Sequence, residues 1–297
     1  MSILFLFVDG IGIDTDNENN PFSVFEWAGF SAITNGQKLT SNALFQSTTD
    51  LVFKSIDANL GVDGLPQSGT GQATLFSGQN ASKIINKHFG PYPHTGIKHL
   101  LKEESLFHQA QSMGKRPYFI NAFPQIFFDR ANVRNRWSCC TLMTKSAGIK
   151  LNSYEEVIKE KAITAEIIQD YWRIHLNLDI PALSIEQAAQ RVANVSTDYD
   201  VTLMEYYLTD KAGHEKDIDS AFLAIERLDL FLQHYMHVRP NNQTIVITSD
   251  HGNIEDLSVK THTTNPVPLI VHGPKAEYFS EVSSIQDVTP AILRSLK

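Results

Sequence analysis

Six consecutive apolar residues, 3–8 (ILFLFV), run directly into Asp9-Gly10. A run of that length, closed by a turn signal, suits a central strand of a parallel sheet buried on both faces; a strand with one wet face would alternate. Residues 244–248 (TIVIT) and 267–271 (VPLIV) read the same way. Residues 201–208 form a further strand whose alternation is blurred by aromatics. A helix is expected at 106–113, closed by Gly114, and a strand at 117–121. A long helix is expected at 217–236, where Ile218, Phe222, Ile225, Leu228 and Leu232 recur at helical spacing. Strand–helix–strand alternation predicts an α/β fold with a central, mostly parallel sheet flanked by helices.

The remaining segments fill in the organisation. Residues 41–56 read as one or two edge strands. In residues 61–82 (GVDGLPQSGTGQATLFSGQNAS) the Gly and Pro cluster marks a loop, and 71–76 begins a helix. Residues 123–147 are aromatic and basic, with Arg130, Arg134, Arg136 and Lys145, and 154–172 reads as helical. Residues 122–183 are therefore expected to be an inserted cap or accessory lobe between two parts of one catalytic core, 1–121 and 184–297. Ser184, with Glu186 and Gln187 behind it, is a capped helix start.

Composition narrows the function classes. A hydrophobic fraction of 42% suits a soluble protein with a real core, and the formal net charge of −8 argues against nucleic-acid or anionic-membrane partners. It leaves anionic small substrates open, since a bound cation reverses the field locally. The two cysteines, Cys139 and Cys140, are adjacent and make no disulfide framework or zinc ribbon. The apolar opening lacks a basic leader and a cleavage site, and no segment is long enough to span a bilayer. A cytoplasmic enzyme is the expectation.

The chemistry lies at the strand ends. Residues 3–8 deliver Asp9, 201–208 deliver Asp210 and His214, 244–248 deliver Asp250 and His251, and His262 comes just before the last strand. In open α/β sheets, ligands bind beyond the carboxyl ends of the strands. Carboxylate oxygen and imidazole nitrogen suit Mn²⁺ or Zn²⁺, and two such ions can clamp an in-line displacement at phosphorus. Asp210 and His214 are four apart, so one helical turn or a tight loop aims both at one ion. Singly, each motif has a bland reading: Asp9-Gly10 is an ordinary turn, and D-x-x-x-H is common. Their shared placement makes them a set. Ser68, in a Gly-rich turn before a helix, is the candidate nucleophile, and Thr70 is its rival; capping of that helix is the plain alternative for both.

These motifs resemble the alkaline phosphatase superfamily of metalloenzymes, and within it the cofactor-independent phosphoglycerate mutases, with phosphopentomutases nearby. HTTNPVPLI is similar to the mutases' final metal-binding segment, SDHGN to their ADHGN, DKAGH to their D-x-x-GH, and FVDGIG to their opening LDG-x-G. The resemblance implies two divalent metal ions. Asp9, Ser68, Asp250 and His251 would hold one; Asp210, His214 and His262 would hold the other. It favours Ser68 over Thr70, because Gly71 and Gln72 follow Ser68 at the family's spacing, and it implies a phosphoserine intermediate. The chain departs from the mutases in its short insert, with no counterpart of their HSH segment or paired arginines. Arg130, Arg134, Arg136 and Lys211 are candidates for substrate contact or simply a solvated basic face. Without a lobe to retain the organic product, water intercepts the phosphoenzyme, so hydrolysis of a small phosphate ester is expected. A phosphomutase, a phosphodiesterase or phosphonate hydrolase, and a non-catalytic metal-binding protein remain the alternatives.

Overall fold

The computed structural model describes residues 2–297. Seven strands form one sheet in the order β2-β3-β7-β6-β1-β5-β4. They are β1 (Ser2–Val8), β2 (Gln46–Ser47), β3 (Leu51–Ile56), β4 (Pro117–Phe119), β5 (Val201–Tyr206), β6 (Gln243–Thr248) and β7 (Val267–His272). β1 lies at the centre, parallel to β5 and β6, and β4 is parallel to β5. β7 runs antiparallel to β6, and β3 antiparallel to β7. The reversal of β7 brings its beginning to the edge where β1, β5 and β6 end.

The apolar run of β1 is buried on both faces. Ile3, Phe5 and Phe7 join one core with Phe76, Leu101, Phe107, Phe279 and Ile292. Leu4, Leu6 and Val8 join the other with Phe22, Ala188, Leu228, Phe231 and Tyr235. The first core includes the Ser68–Ser77 helix, whose Phe76 ring meets Phe5 at 6.1 Å and Phe7 at 5.3 Å, both edge-on. Such pairs add about 0.5–1.5 kcal/mol each beyond area burial. They pin this helix to the central strand and thereby fix its first residue, Ser68, at the sheet edge. On the second face the Ile218–Val238 helix packs against Ile185–Ser196 and Ala28–Ile33. Ser184 and Gln187 form the expected capping box, and Asp217 caps the long helix through Ser220 N.

β7, whose apolar run reads like that of a parallel strand, is antiparallel to both its neighbours. Two further expectations are corrected. The stretch 154–172 is not one helix: Tyr154–Ile158 is helical, the chain then turns, and a single π-helical turn follows at Tyr171–His175. Glu160, Ile167 and Gln169 take left-handed backbone angles. The physical reason is Arg191, whose buried guanidinium binds Val157 O at 3.4 Å, Ala162 O at 3.2 Å and Gln169 Oε1 at 2.8 Å. The backbone carbonyls of Val157 and Ala162 turn toward that cation instead of continuing a helical ladder, so tertiary bonding overrides helix propensity. The second correction is local: β5 stops at Tyr206, and Leu208 already opens the Leu208–Glu215 helix.

Residues 122–183 contribute in three ways. Ala122, Val157, Ala162, Trp172 and Ile180 make a small cluster of their own, Cys139, Cys140, Leu142, Met143 and Leu151 belong to the first main core, and Ile163, Ile167 and Leu183 belong to the second. No helix among the described residues is long and apolar enough to cross a membrane.

Candidate metal centre

Seven side chains named from the sequence meet at the carboxyl edge of the sheet. Asp9 leaves β1 at a turn that needs Gly10: its φ is +72°, and a Cβ there would lie 2.8 Å from the Cα of Asp210. Asp210 and His214 share one face of the Leu208–Glu215 helix, one turn apart. Asp250 and His251 follow β6, and His262 precedes β7. Ser68 is the first residue of its helix, whose N-cap supplies no side-chain hydrogen bond.

The seven fall into two linked sets. His251 Nε2 lies 3.1 Å from Ser68 Oγ, 3.3 Å from Asp9 Oδ1 and 3.5 Å from Asp250 Oδ2. In the outer set, His262 Nε2 is 3.5 Å from Asp210 Oδ1, His214 Nε2 is 3.4 Å from Asp210 Oδ2, and the two Nε2 atoms are 3.3 Å apart. His251 joins the sets, since its ring stacks on His262 at 3.7 Å and its donor atom also lies within 4.8 Å of those of Asp210 and His262.

Hydrogen bonding fixes how each imidazole faces the centre. The Nδ1 atoms of His251, His262 and His214 approach the carbonyls of Gly252 at 3.3 Å, Pro66 at 2.7 Å and Lys260 at 2.7 Å. A carbonyl only accepts, so each Nδ1 carries the proton and each Nε2 turns a lone pair inward. This is the tautomer and outer bonding of a metal-ligating histidine. Burial pulls His251 and His262 down to about 4, which leaves both rings neutral at pH 7. Burial first, then the neighbouring Asp210, pushes Asp250 up to about 7; burial followed by Asp250 and Asp210 raises Asp9 well above the usual carboxylate range.

The donor set fits divalent cations on evidence from the fold itself. Asp9 Oδ1 and both oxygens of Asp250 are buried with no hydrogen-bond partner. Orphaned carboxylate oxygens are costly inside a protein. Together with inward-facing imidazole lone pairs, they make an arrangement that a cation satisfies and that no side chain here does.

Further residues hold the set in place. Gln72 Nε2 donates to Asp9 Oδ2 at 3.2 Å, and Thr209 Oγ1 donates to Asp9 O at 2.6 Å. Asn253 Nδ2 donates to Asp210 Oδ1 at 2.7 Å. Glu255, fully buried, accepts from Gly12 N at 2.8 Å, Asn253 N at 2.7 Å, Asn265 Nδ2 at 3.1 Å and Thr263 Oγ1. It thus ties together the loops that carry Asp9, His251 and His262. Asn253 and Glu255 directly follow the Asp-His-Gly motif, so adjacency was the available signal; Thr209 had none, because its bond to Asp9 spans 200 positions.

Of the other sequence candidates, Lys211 borders the site and the rest lie away from it. The Thr70 hydroxyl donates to Gln67 O at 3.2 Å and accepts from Phe89 N at 3.1 Å, bonds that tie the loop before the helix to the segment after it. Lys211 stands with Asp9, Ser68, Glu205 and Asp210 around a cleft of about 340 Å³. Arg130, Arg134 and Arg136 are away from the seven and line an adjoining chamber of about 680 Å³; Tyr92, Ser138, Glu205 and Tyr207 border both spaces. Burial pushes Glu205 up to about 7.

A parallel-centred sheet carrying carboxylates, imidazoles and a helix-borne serine at its carboxyl edge defines an alkaline phosphatase-like metalloenzyme. A family model described as the metalloenzyme superfamily matches residues 139–297, more than half of the sequence, and the chain belongs to that superfamily. It is similar to 2,3-bisphosphoglycerate-independent phosphoglycerate mutases. The one from Mycoplasmoides gallisepticum is 28% identical over 124 residues, covering 39% of this chain and 25% of the relative. The one from Pyrobaculum aerophilum is 35% identical over 104 residues, covering 35% and 24%. The match thus spans about a quarter of the length of these relatives. Among solved structures, the alkaline phosphatase of the Antarctic bacterium TAB5 superposes with a TM-score of 0.59 at 13% identity, over 99% of this chain and 98% of that one. Leishmania mexicana phosphoglycerate mutase gives 0.59 at 9% identity, over 99% and 95%. These likenesses establish the fold.

Proposed function

We propose that this chain hydrolyses a small phosphate monoester through a phosphoserine intermediate on Ser68. The observation that carries the reading is the Ser68 hydroxyl, 3.1 Å from His251 Nε2, beside the orphaned oxygens of Asp9 and Asp250. In this reading Asp9, Asp250 and His251 hold one divalent ion with Ser68, and Asp210, His214 and His262 hold a second. Mn²⁺ and Zn²⁺ both suit the mixed oxygen and nitrogen set. When bound, the two ions supply charge neutralisation for the phosphoryl oxygens and acidify the serine hydroxyl.

The chain's own residues do the rest. Ser68 Oγ attacks phosphorus, and the bond from phosphorus to the ester oxygen breaks. The departing alcohol takes up the proton that the serine loses. Ser68 opens its helix, so the phosphoryl group would meet the positive end of the helix dipole, although the N–H groups of Thr70 and Gly71 are already bonded to the carbonyls of Phe89 and Gln67. Lys211, at the cleft rim, offers a further cation to the phosphate. Water then attacks the phosphoserine from the opposite side, releasing inorganic phosphate and restoring the hydroxyl. Within residues 122–183, the Gln125–Arg134 helix and the Tyr171–His175 turn act as the cap beside the cleft, while 139–151 packs in the main core. Buried free thiols at Cys139 and Cys140 accord with a reducing, cytoplasmic setting.

A mutase shares every step up to the phosphoserine, and the named relatives keep that reading in view. The test is metal analysis of the purified chain, then phosphate release from sugar phosphates, phosphoglycerates and nucleotides with Mn²⁺ or Zn²⁺. The expected result is metal-dependent release that a chelator abolishes. Turnover of 3-phosphoglycerate in an enolase-coupled assay without free phosphate would replace the hydrolase by a mutase. Metal binding with no reaction on any ester would reduce the chain to a metal-binding protein.

A further inference from the structure

The chamber next to the catalytic cleft has twice its volume, about 680 against 340 Å³, and shares four bordering residues with it. The organic part of an ester whose phosphate sits at Ser68 thus has that chamber beside it. Spaces of about 300–1,000 Å³ suit ligands of drug-like size rather than a three-carbon acid.

Its walls are of two kinds. Phe123 and Phe127, stacked at 4.3 Å, line it with Trp172. Tyr171 and Tyr207 lie at its mouth with 54% and 45% of their surfaces exposed. Aromatic surface left open at the rim of a pocket is a stacking surface for a flat group. The second kind is cationic. Arg130 and Arg134 sit one turn apart on the Gln125–Arg134 helix, with Arg136 just beyond. Among the described residues none of the three has a carboxylate within 4.0 Å, and Arg136 instead covers the Tyr92 ring at 4.2 Å. In a chain of net charge −8, guanidiniums unpaired at a pocket wall are free for an anion. Glu166 and Glu205 also line the chamber and would accept from hydroxyl or amino groups of the ligand.

We infer that the substrate is a phosphate monoester whose organic part carries a planar ring and a second anionic group, the ring held by the aromatic wall and the anion by Arg130 and Arg134. This rests on the phosphatase reading and names the substrate class of the same site.

The test uses the full chain loaded with Mn²⁺ and three probes. Ribose 5-phosphate has neither feature, adenosine 5′-monophosphate adds the ring, and adenosine 3′,5′-bisphosphate adds a second anion. Calorimetry on the Ser68→Ala protein gives Kd without turnover. The expected order is a gain of about tenfold for the ring and about tenfold again for the second phosphate. Arg130→Ala with Arg134→Ala, both exposed positions, removes the second gain; Tyr207→Ala reduces the first. Equal Kd values for the three probes, or a ladder that these changes leave intact, overturn the inference. So does failure to bind the two nucleotides by protein that releases phosphate from p-nitrophenyl phosphate, which leaves the phosphatase reading standing. No phosphate release from any ester would instead remove the reading beneath it.

Discussion

Glu255 gives the sharpest stability test, because its role can be worked from four hydrogen bonds. Its Oε2 accepts the backbone N–H groups of Gly12 and Asn253; its Oε1 accepts Thr263 Oγ1 and Asn265 Nδ2. Gly252 leaves the space: a Cβ there would collide with Glu255 Oε1. Hydrogen bonds to a charged group contribute about 1.5–3 kcal/mol each. Loss of the two backbone donors alone in Glu255→Ala therefore costs about 3–6 kcal/mol, a large part of a typical stability of about 5–15 kcal/mol. Glu255→Gln is milder. Its amide oxygen can replace Oε2 and keep both backbone donors, and the Thr263 hydroxyl can turn to accept from the new amide nitrogen. Only Asn265 is left facing a donor, so the loss is about 1–3 kcal/mol. Urea unfolding with chelator present, with the m-value checked, measures both. Calorimetric titration with Mn²⁺ measures the consequence for the site, where misplaced loops lower affinity about 10–100-fold. Glu255→Ala within about 0.5 kcal/mol of the parent, or equal to Glu255→Gln, would refute the reasoning.

Two further outcomes are expected. Ser68→Ala lowers phosphate release by about a thousandfold or more, whereas Thr70→Val costs about 1–3 kcal/mol of stability and retains release; release that survives the first change and is lost with the second moves the nucleophile to Thr70. Removing metal exposes the carboxylates to one another. Because burial and Asp210 raise Asp250 from 3.8 to about 7, its ionisation opposes folding: the penalty is absent below about pH 4, grows as pH rises and is complete above about 7. At pH 8, chelated Asp250→Asn is thus more stable than its chelated parent, by about 4 kcal/mol at most. His251 and His262, pulled down by burial to about 4, are neutral at pH 8 in both proteins and drop out. Mn²⁺ reverses the ranking. Scanning calorimetry of both proteins with chelator or Mn²⁺ checks this, and a chelated Asp250→Asn that melts below its parent at pH 8 would sink it.

The legible parts of the sequence were those where one local pattern decides the outcome. Residues 3–8 could only be a strand buried on both faces, and the spacing of Ile218, Ile225 and Leu232 could only be one helix face. Asp210 and His214 were readable as a pair because helical geometry brings positions four apart together. The failures lie where distant groups decide. Residues 154–172 look helical, but Arg191 draws their carbonyls into an irregular path. The convergence of seven side chains depends on strand order and on the direction of β7, neither of which any window of residues encodes. Glu255 reads as an ordinary charged residue until Gly12, Asn253, Thr263 and Asn265 are seen to surround it.

The reversed direction of β7 also sets a schedule. Every other member of the centre has been synthesised by residue 251, but His262 is presented by the turn into a strand made only afterwards. A nascent chain halted between these points carries six of the seven groups and an open outer pocket. A cation held by Asp210, His214 and His262 would therefore be captured late, and its binding would report that the polypeptide has threaded β7 into the sheet.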